Sequence, residues 1–261
     1  NTGIKHSSGE IIAFTDADCI VPKNWIRSIV DCFQNPEVGC VGGNALRYYD
    51  NFLSHYADES IIPVMRVFKK REILNYVKPP EKFPAGCNMA IRREILEKAG
   101  FFNESIRYGY DEDALVERIC KAGYKMVLDP EVLVKHKHRP KLLELLKQHL
   151  NYGKGAGLML RMGIKSVFSK WFRICIIGLL TFGLIILSLA IHALLTGAFI
   201  SQMILLALFL LPPFGLMAFY GYRTVKKGDK KYGRILVYPF IDIARALAFI
   251  LGLIYQLFKK S

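Results

Sequence analysis

The sequence predicts an α/β domain with a largely parallel sheet, followed by C-terminal transmembrane helices. Over roughly the first 155 residues, short apolar runs alternate with amphipathic segments. This pattern is typical of strands and helices that alternate along a chain. From about residue 174 onward, long apolar runs dominate, as expected of helices that cross a bilayer.

The elements of the first part follow from apolar periodicity and from helix-ending glycines. Residues 10–15, 38–43 and 125–128 are short apolar runs and predict buried strands. Gly100 and Gly123 follow helical patterns and predict C-caps. The predicted helices are 22–33, 92–99, 113–122 and an amphipathic 141–150. The last of these fits either a membrane surface or packing against the preceding domain.

Three apolar segments follow, at residues 174–195, 198–220 and 235–258. At 1.5 Å per residue the first is about 33 Å long, which is enough to cross the hydrocarbon core. The third contains Asp242 and Arg245, which lie at i and i+3 of a helix and can neutralise each other. The sequence therefore predicts two to three membrane helices, the third either spanning or interfacial.

Residues 171–261 carry +8 of the formal net charge of +14, and much of that charge lies in the loop between the second and third apolar segments. Its basic residues are Arg223, Lys226, Lys227, Lys230, Lys231 and Arg234. The positive-inside rule then predicts a multi-pass protein of the cell membrane with residues 1–170 in the cytoplasm. A third span would leave Lys259 and Lys260 outside, in mild conflict with this rule. No zinc-finger spacing or RNA-binding aromatic motif occurs, so no specific nucleic-acid partner is expected.

An acidic turn, TDADC, follows the first predicted strand and contains Asp16 and Asp18. Ligands of open α/β sheets bind at the carboxyl ends of strands. Two carboxylates in such a turn suit a hard divalent cation, Mn²⁺ or Mg²⁺. The alternative is an Asx turn with no ligand.

A second acidic cluster consists of Asp111, Glu112 and Asp113 at the start of a predicted helix. Three acids there suit the positive end of the helix dipole, and that role alone could explain them. Alternatively, one of them is a general base, because crowding and burial raise the pKa of a carboxyl group toward neutral pH.

Two further segments contain candidate site residues. His136 and His138 lie on the same side of a strand, as a metal-binding pair or as an exposed loop feature. Gly86 and Asn88 precede a predicted helix, where a glycine permits close approach of a ligand. An ordinary turn is the alternative for this second segment.

Taken in order, three segments resemble the family 2 glycosyltransferases, which have the GT-A fold. They are NTGIKHSSGEIIAFTDADC, PAGCNMAIRREILEKAGFFNE and YDEDALVERICKAGYKMVLDPEVLVKHKHR. The resemblance covers residues 1 to about 155 and implies a partial GT-A domain. Members of the family begin with a strand and loop that hold the nucleotide base. The mid-protein character of the residues after Asn1 predicts that this N-terminal part is lacking.

The resemblance also implies roles at the donor side of the site. Asp16 would lie near the nucleotide, and Asp18 would bind the metal that bridges the diphosphate. His136 would approach the metal or diphosphate from the other side, with His138 the less suitable of the pair.

The acceptor side follows from the same resemblance. Gly86 and Asn88 would line the sugar and acceptor pocket and contribute to binding of the donor. The base would be Asp111, Glu112 or Asp113. Counting back from Arg118 favours Glu112, whereas a Glu-Asp pair favours Asp113.

The activity so implied is inverting, metal-dependent transfer of a sugar from a UDP- or GDP-sugar to a lipid-linked or cell-surface saccharide at the cytoplasmic membrane face. Processive relatives carry QxxRW after the base motif, but residues 148–152 read QHLNY, which favours adding a single sugar. The predicted organisation is a catalytic domain at 1–155, a juxtamembrane linker at 156–173 and a membrane region at 174–258. Alternatives are a polyprenyl-phosphate sugar synthase and a non-enzymatic membrane transport or anchor protein.

Overall fold

The computed structural model describes residues 1–228 and 231–259. Lys230 and Lys260, two of the basic residues on which the predicted membrane orientation rests, lie outside the described residues. The chain divides into two compact units. The first comprises Asn1–Ser169 with Ala248–Ser261, and the second comprises Lys170–Leu247.

The first unit contains a mixed sheet, with six strands among the described residues. They are β1 (Ile11–Thr15), β2 (Cys19–Ile20), β3 (Val38–Arg47), β4 (Glu72–Leu74), β5 (Asn88–Arg92) and β6 (Lys125–His136). Their order is β1-β5-β3-β6-β2, and β4 also pairs with β6. The longest pair, β3 with β6, is parallel, and the flanking pairs are antiparallel.

The predicted α/β class is confirmed, with parallel pairing at the core of the sheet. Alternation of strands and helices does not specify the direction of the flanking strands. The long irregular segments between β3 and β5 let the chain return in either direction, and β5 runs antiparallel to both of its neighbours.

Six helices precede, separate or directly follow these strands along the described part of the chain. They are α1 (Thr2–His6), α2 (Trp25–Cys32), α3 (Phe52–Glu59), α4 (Arg93–Ala99), α5 (Asp111–Lys121) and α6 (Leu142–Arg161). The four predicted helices are confirmed as α2, α4, α5 and α6, although α6 continues beyond residue 150. Helices α1 and α3 and strands β2, β4 and β5 were not predicted.

The core of this unit forms where α2 packs on the sheet. Trp25 and Ile29 of α2 are buried with Val41, Ala90 and Val127 from the three central strands. The same sheet sets the position of the acidic turn. Residues 16–18 connect β1 to β2, and β2 pairs with the end of β6. The carboxylates therefore lie beside the final residues of β6.

Three long helices follow: α7 (Val167–Thr196), α8 (Phe199–Lys226) and α9 (Gly233–Phe258). Each is long and apolar enough to cross a membrane, and they are the three such helices among the described residues. The expected pair on the third segment is confirmed, with Arg245 Nη1 3.3 Å from Asp242 Oδ1. Tyr220 donates its hydroxyl to the same carboxylate. The orientation of these helices stays a prediction.

Within the first unit, α6 crosses the C-terminal part of α9 at backbone contact. A Cβ added to Gly153 would lie 1.9 Å from the carbonyl oxygen of Phe249, and one added to Gly252 would lie 1.9 Å from that of Leu150. No side chain fits at such distances unless the helices separate. The crossing therefore requires glycine at both positions.

We expect Gly252→Val to lower the melting temperature of the detergent-solubilised chain by about 5 °C or more, because the helices must move apart. Gly178→Val is the matched control, since Gly178 also lies in an apolar helix but has nothing within 4 Å of an added Cβ. Thermal unfolding followed by circular dichroism measures both. Equal shifts for the two variants would contradict the proposed crossing.

Candidate active site

A cavity of about 840 Å³ opens in the first unit at the end of β1. It brings together both acidic motifs and the glycine of the PAGCN segment. The residues that line it include Gly86 and the polar or aromatic residues Asp16, Arg66, Asp111, Glu112, Asp113 and Tyr152. Side chains from distant parts of the sequence therefore converge on one space that is large enough for a sugar and part of a nucleotide.

The acidic turn is closed by a hydrogen bond from the Cys19 amide to the Asp16 carbonyl, 3.0 Å long. Pairing of β2 with β6 sets Cys19 opposite His136. As a result His136 Nε2 lies 3.4 Å from Asp18 Oδ1. Asp16 lines the cavity, and burial followed by the Asp18 charge raises the pKa of Asp16.

The residues around Asp18 fit a divalent cation. Potential ligand atoms of Asp18, Cys19 and His136 all lie within 4.8 Å of one another. Oδ1 of Asp18 is buried and has no hydrogen-bond partner in the described part of the chain. A buried carboxylate oxygen normally has a partner, and a cation would supply one.

His136 and His138 are in contact and have different surroundings. Their Nδ1 atoms are 3.2 Å apart, and Nε2 of His138 lies 3.0 Å from Asp58 Oδ1. If His138 donates from Nε2 to Asp58, its Nδ1 accepts from His136. Nε2 of His136 then keeps its lone pair toward Asp18. Burial and His138 lower the pKa of His136 to about 4, so His136 is neutral near pH 7, which is the form that binds metals.

A loop with unusual backbone geometry presents the second acidic cluster. Tyr108 and Tyr110 have φ of 72° and 75°, and Gly109 between them has φ of 100°. Such angles are uncommon for tyrosine and occur often at functional sites. The ring of Tyr152 supports the loop, because a Cβ on Gly109 would be 3.4 Å from it. The loop ends at the start of α5, where the three acids line the cavity.

Of these acids, Glu112 is best placed to act on a ligand. A Cβ added to Gly86 would lie 3.5 Å from Glu112 Oε1, so this carboxylate faces the PAGCN glycine at close range in the wall of the cavity. Burial, and then Asp111, raise the pKa of Glu112 to about 8. Asp113 is only 3% exposed, and burial followed by Glu112 holds its pKa well above its usual range.

Arg66 lines the same cavity, although no sequence motif identifies it. Its guanidinium carbon is 3.8 Å from the centre of the Phe83 ring. Its positive charge acts to lower the pKa of both Glu112 and Asp113, against their burial. Arg66 belongs to a segment, residues 48–80, that has no periodic pattern, so only the folded chain identifies it.

Tyr152 also lines the cavity. Gln148 Nε2 donates to its hydroxyl oxygen across 3.1 Å, one turn earlier on α6. The sequence feature that could have identified Tyr152 as a site residue is the QHLNY segment, in which Tyr152 occupies the position of the tryptophan in QxxRW.

The expectation that Asn88 contacts donor or acceptor is corrected by the structure. Its side chain is fully buried. Its oxygen accepts from Trp25 Nε1 at 2.8 Å, and its nitrogen donates to the carbonyls of Asn44 and Val132 at 2.8 Å each. These bonds use both amide hydrogens, so Asn88 joins α2, β3 and β6. Gly86, two residues earlier, does line the cavity.

Residues 1–100 match the family described as Glycosyl transferase family 2. The chain is 30% identical over 182 residues to Glycosyltransferase AglE of Haloferax volcanii, covering 65% of this chain and 54% of that protein. It is 21% identical over 214 residues to the dolichyl N-acetyl-α-D-glucosaminyl phosphate 3-β-D-2,3-diacetamido-2,3-dideoxy-β-D-glucuronosyltransferase of Methanococcus voltae, covering 71% of this chain and 60% of that protein.

A solved structure has a similar fold. The mannosyltransferase PcManGT from Pyrobaculum calidifontis, in complex with GDP-Man and Mn²⁺, matches with a TM-score of 0.54 and 19% identity. The match covers 100% of this chain and 66% of that one. The chain thus spans 54% and 60% of the length of the two relatives named above. The acidic turn lies within the matched family region, residues 1–100, whereas β6 lies beyond it. The similarity to the glycosyl transferase family 2 thus lies in residues 1–100, and it is supported by relatives that the chain spans only in part.

Proposed function

We propose that this chain transfers one sugar from a UDP- or GDP-sugar to a lipid-linked or cell-surface saccharide, with inversion at the anomeric carbon. One observation carries the proposal: Asp16 and Glu112 line the same cavity, and Glu112 faces Gly86 with a pKa raised to about 8. A carboxyl group in that pKa range, beside a space for ligands, suits proton abstraction near neutral pH.

Glu112 acts as the general base in this account. Its carboxylate takes the proton of an acceptor hydroxyl while that oxygen forms a bond to the anomeric carbon. The bond from this carbon to the diphosphate oxygen breaks on the opposite face, which inverts the configuration. The nucleoside diphosphate leaves with the bonding electron pair. Asp113 is almost completely buried and is not the base in this proposal.

Asp18 and His136 would hold Mn²⁺ or Mg²⁺. When bound, such an ion offsets negative charge on the departing diphosphate. Neutral His136, whose Nδ1 contacts His138, would present a lone pair on Nε2 for this purpose, and Asp58 would hold His138 in the matching tautomer. Asp16 lines the cavity beside this site and would contact the nucleotide part of the donor.

The membrane location is proposed from the long helices and their charges. Arg223, Lys226 and Lys227 follow one another at the end of α8, and basic residues favour the cytoplasmic side. We propose that the catalytic unit lies on that side too, where nucleotide sugars are made. The Methanococcus voltae relative is named for a dolichyl-linked substrate, which supports a lipid-linked acceptor here.

The raised pKa of Glu112 predicts a pH dependence of the transfer rate. The base works only when ionised, and its ionised fraction rises with pH until the pKa is passed. We therefore expect the rate to increase about tenfold per pH unit from about pH 6 and to level off above about pH 8. Initial rates in a constant-ionic-strength buffer series measure this. A rate that is flat across that interval would exclude Glu112 as the base.

A polyprenyl phosphate is a second candidate acceptor, and Arg66 favours it. Its guanidinium lies in the cavity with the acidic cluster, and a guanidinium is suited to binding phosphate oxygens. An ionised phosphate is already a nucleophile and needs no strong base.

The proposal is tested by following sugar from labelled UDP- and GDP-sugars into material extracted with organic solvent from membranes that contain the chain. Label in a lipid-linked saccharide, with the anomeric configuration inverted by NMR, supports the proposal. Label in a lipid that carries one sugar directly on phosphate supports the second acceptor. Transport of solute without turnover of any sugar nucleotide would support the non-enzymatic alternative.

A further inference from the structure

We propose that Cys19 is a third protein ligand of the cation site and gives the site a preference for thiophilic divalent cations, such as Co²⁺, Zn²⁺ and Cd²⁺, over Mg²⁺. The inference rests on the cation site assigned to Asp18 and His136 in the proposed function. It does not depend on the transfer reaction.

The sheet register brings the thiol to the site. Cys19 and His136 are direct partners in the antiparallel pair of β2 and β6. Side chains of directly opposed residues leave the same face of a sheet close together. Asp18 precedes Cys19, and ligand atoms of all three residues lie within 4.8 Å of one another. A cation that forms bonds of about 2.0–2.3 Å to nitrogen, oxygen and sulfur can join such atoms after small side-chain movements.

The Asp18 carboxylate independently indicates a bound cation. Its Oδ1 atom is buried and makes no hydrogen bond with any described residue. Its Oδ2 atom lies 3.8 Å from Arg139 Nη1, so the guanidinium satisfies the other oxygen only weakly. The unpartnered oxygen is also the one that lies 3.4 Å from His136 Nε2. A cation between these two atoms would contact Asp18 Oδ1 and His136 Nε2, and the Cys19 sulfur would be close enough to join them.

The chemistry of the third ligand determines which cations are favoured. A thiol that binds a cation loses its proton to solvent and binds as thiolate. Thiolate is a soft ligand that favours Co²⁺, Zn²⁺ and Cd²⁺, whereas carboxylate and water favour Mg²⁺ and Mn²⁺. Asp18 and His136 without the thiol would bind the softer ions less tightly. Cys19 adds affinity for the softer ones.

Cys87 is the natural control, because its thiol lies beside that of Cys19 and acts on the Cys19 pKa. It is buried, with 4% exposure, and lies outside the group of close ligand atoms. Cys32, Cys40 and Cys120 are also buried, whereas Cys175 is exposed and would bind soft cations non-specifically. The parent for the experiment is therefore the full chain with Cys175→Ser.

The experiment is a Co²⁺ titration of this parent, purified and reduced in detergent, with and without added UDP. The thiolate-to-cobalt charge-transfer absorbance reports sulfur ligation directly. We expect the band in the parent and in Cys87→Ser, and its loss in Cys19→Ser. Cys19→Ser should weaken Co²⁺ binding about tenfold or more and change Mn²⁺ binding, followed by electron paramagnetic resonance, by less than about twofold.

Retained Mn²⁺ binding shows that Cys19→Ser is folded. A band that persists in Cys19→Ser, or that disappears only in Cys87→Ser, would overturn the inference. Co²⁺ binding that is lost in Asp18→Asn but shows no charge-transfer band in the parent would also overturn the inference about Cys19. In that case the assignment of a cation site to Asp18 would stand. If the parent bound no Co²⁺ with or without UDP, both the inference about Cys19 and the assignment of the cation site would be overturned. Sugar-nucleotide turnover is measured separately, so failure of the transfer reaction is distinguishable from each of these results.

Discussion

Replacing Glu112 by glutamine is expected to lower the rate of sugar transfer by about 10²–10⁴-fold, the usual contribution of a positioned general base. Glutamine keeps the size of the side chain facing Gly86 but cannot take up the acceptor proton. Binding of the nucleotide sugar should change little, because Asp16 and Asp18 are untouched. Initial transfer rates and donor binding by calorimetry measure the two effects separately.

Glu104→Gln is the matched control for this variant. Glu104 also lines the cavity, but its side chain is 74% exposed and accepts a hydrogen bond from Asn1 Nδ2 at 2.8 Å. It should keep nearly full activity. A large loss in Asp113→Asn with little loss in Glu112→Gln would make Asp113 the base. An undiminished rate in Glu112→Gln, with a large loss in Arg66→Ala, would show that the acceptor nucleophile is a phosphate.

Replacing Asp18 by asparagine is expected to lower the Mn²⁺-dependent transfer rate by about 100-fold or more. Asparagine is similar in shape, but it lacks the charge that balances a divalent cation. Its amide oxygen would take the place of Asp18 Oδ1 beside His136 Nε2, and this oxygen is a weaker ligand for a cation than a carboxylate oxygen. Turnover as a function of Mn²⁺ concentration, together with Mn²⁺ binding followed by electron paramagnetic resonance, measures the effect.

Asp31→Asn is the control for Asp18→Asn, because Asp31 lies exposed on α2, outside the cavity. It removes the same charge from the chain and should leave Mn²⁺ dependence unchanged. Equal activity in the Asp18 and Asp31 variants, with saturating Mn²⁺, would mean that Asp18 does not hold the cation.

The parts of the fold that follow a local pattern could be predicted from the sequence. Strand β1 and helices α4 and α5 have clear apolar periodicity and, for the helices, glycines at or just beyond their ends. Strand β5 could not be separated from α4, because its apolar residues continue directly into the helix without a turn residue. Strand β2 has only two residues, too few for any pattern.

The site could be predicted only as separate motifs. Asp18 and His136 meet because β2 pairs with β6, and that pairing has no local signature. The different roles of His136 and His138 depend on Asp58, which holds only His138. Asn88 has the sequence context of a ligand residue but lies under Trp25 in the core. Such outcomes depend on tertiary contacts, which periodicity and motif spacing do not encode.

The most direct test of the central claim is release of nucleoside diphosphate from a panel of UDP- and GDP-sugars by membranes containing the chain. The measurement is made with Mn²⁺ and again after chelation. We predict release from one donor that depends on Mn²⁺ and on a lipid or saccharide acceptor. No release from any donor, with folded protein, Mn²⁺ and added lipid acceptors present, would contradict the assignment of this cavity as a glycosyltransferase site.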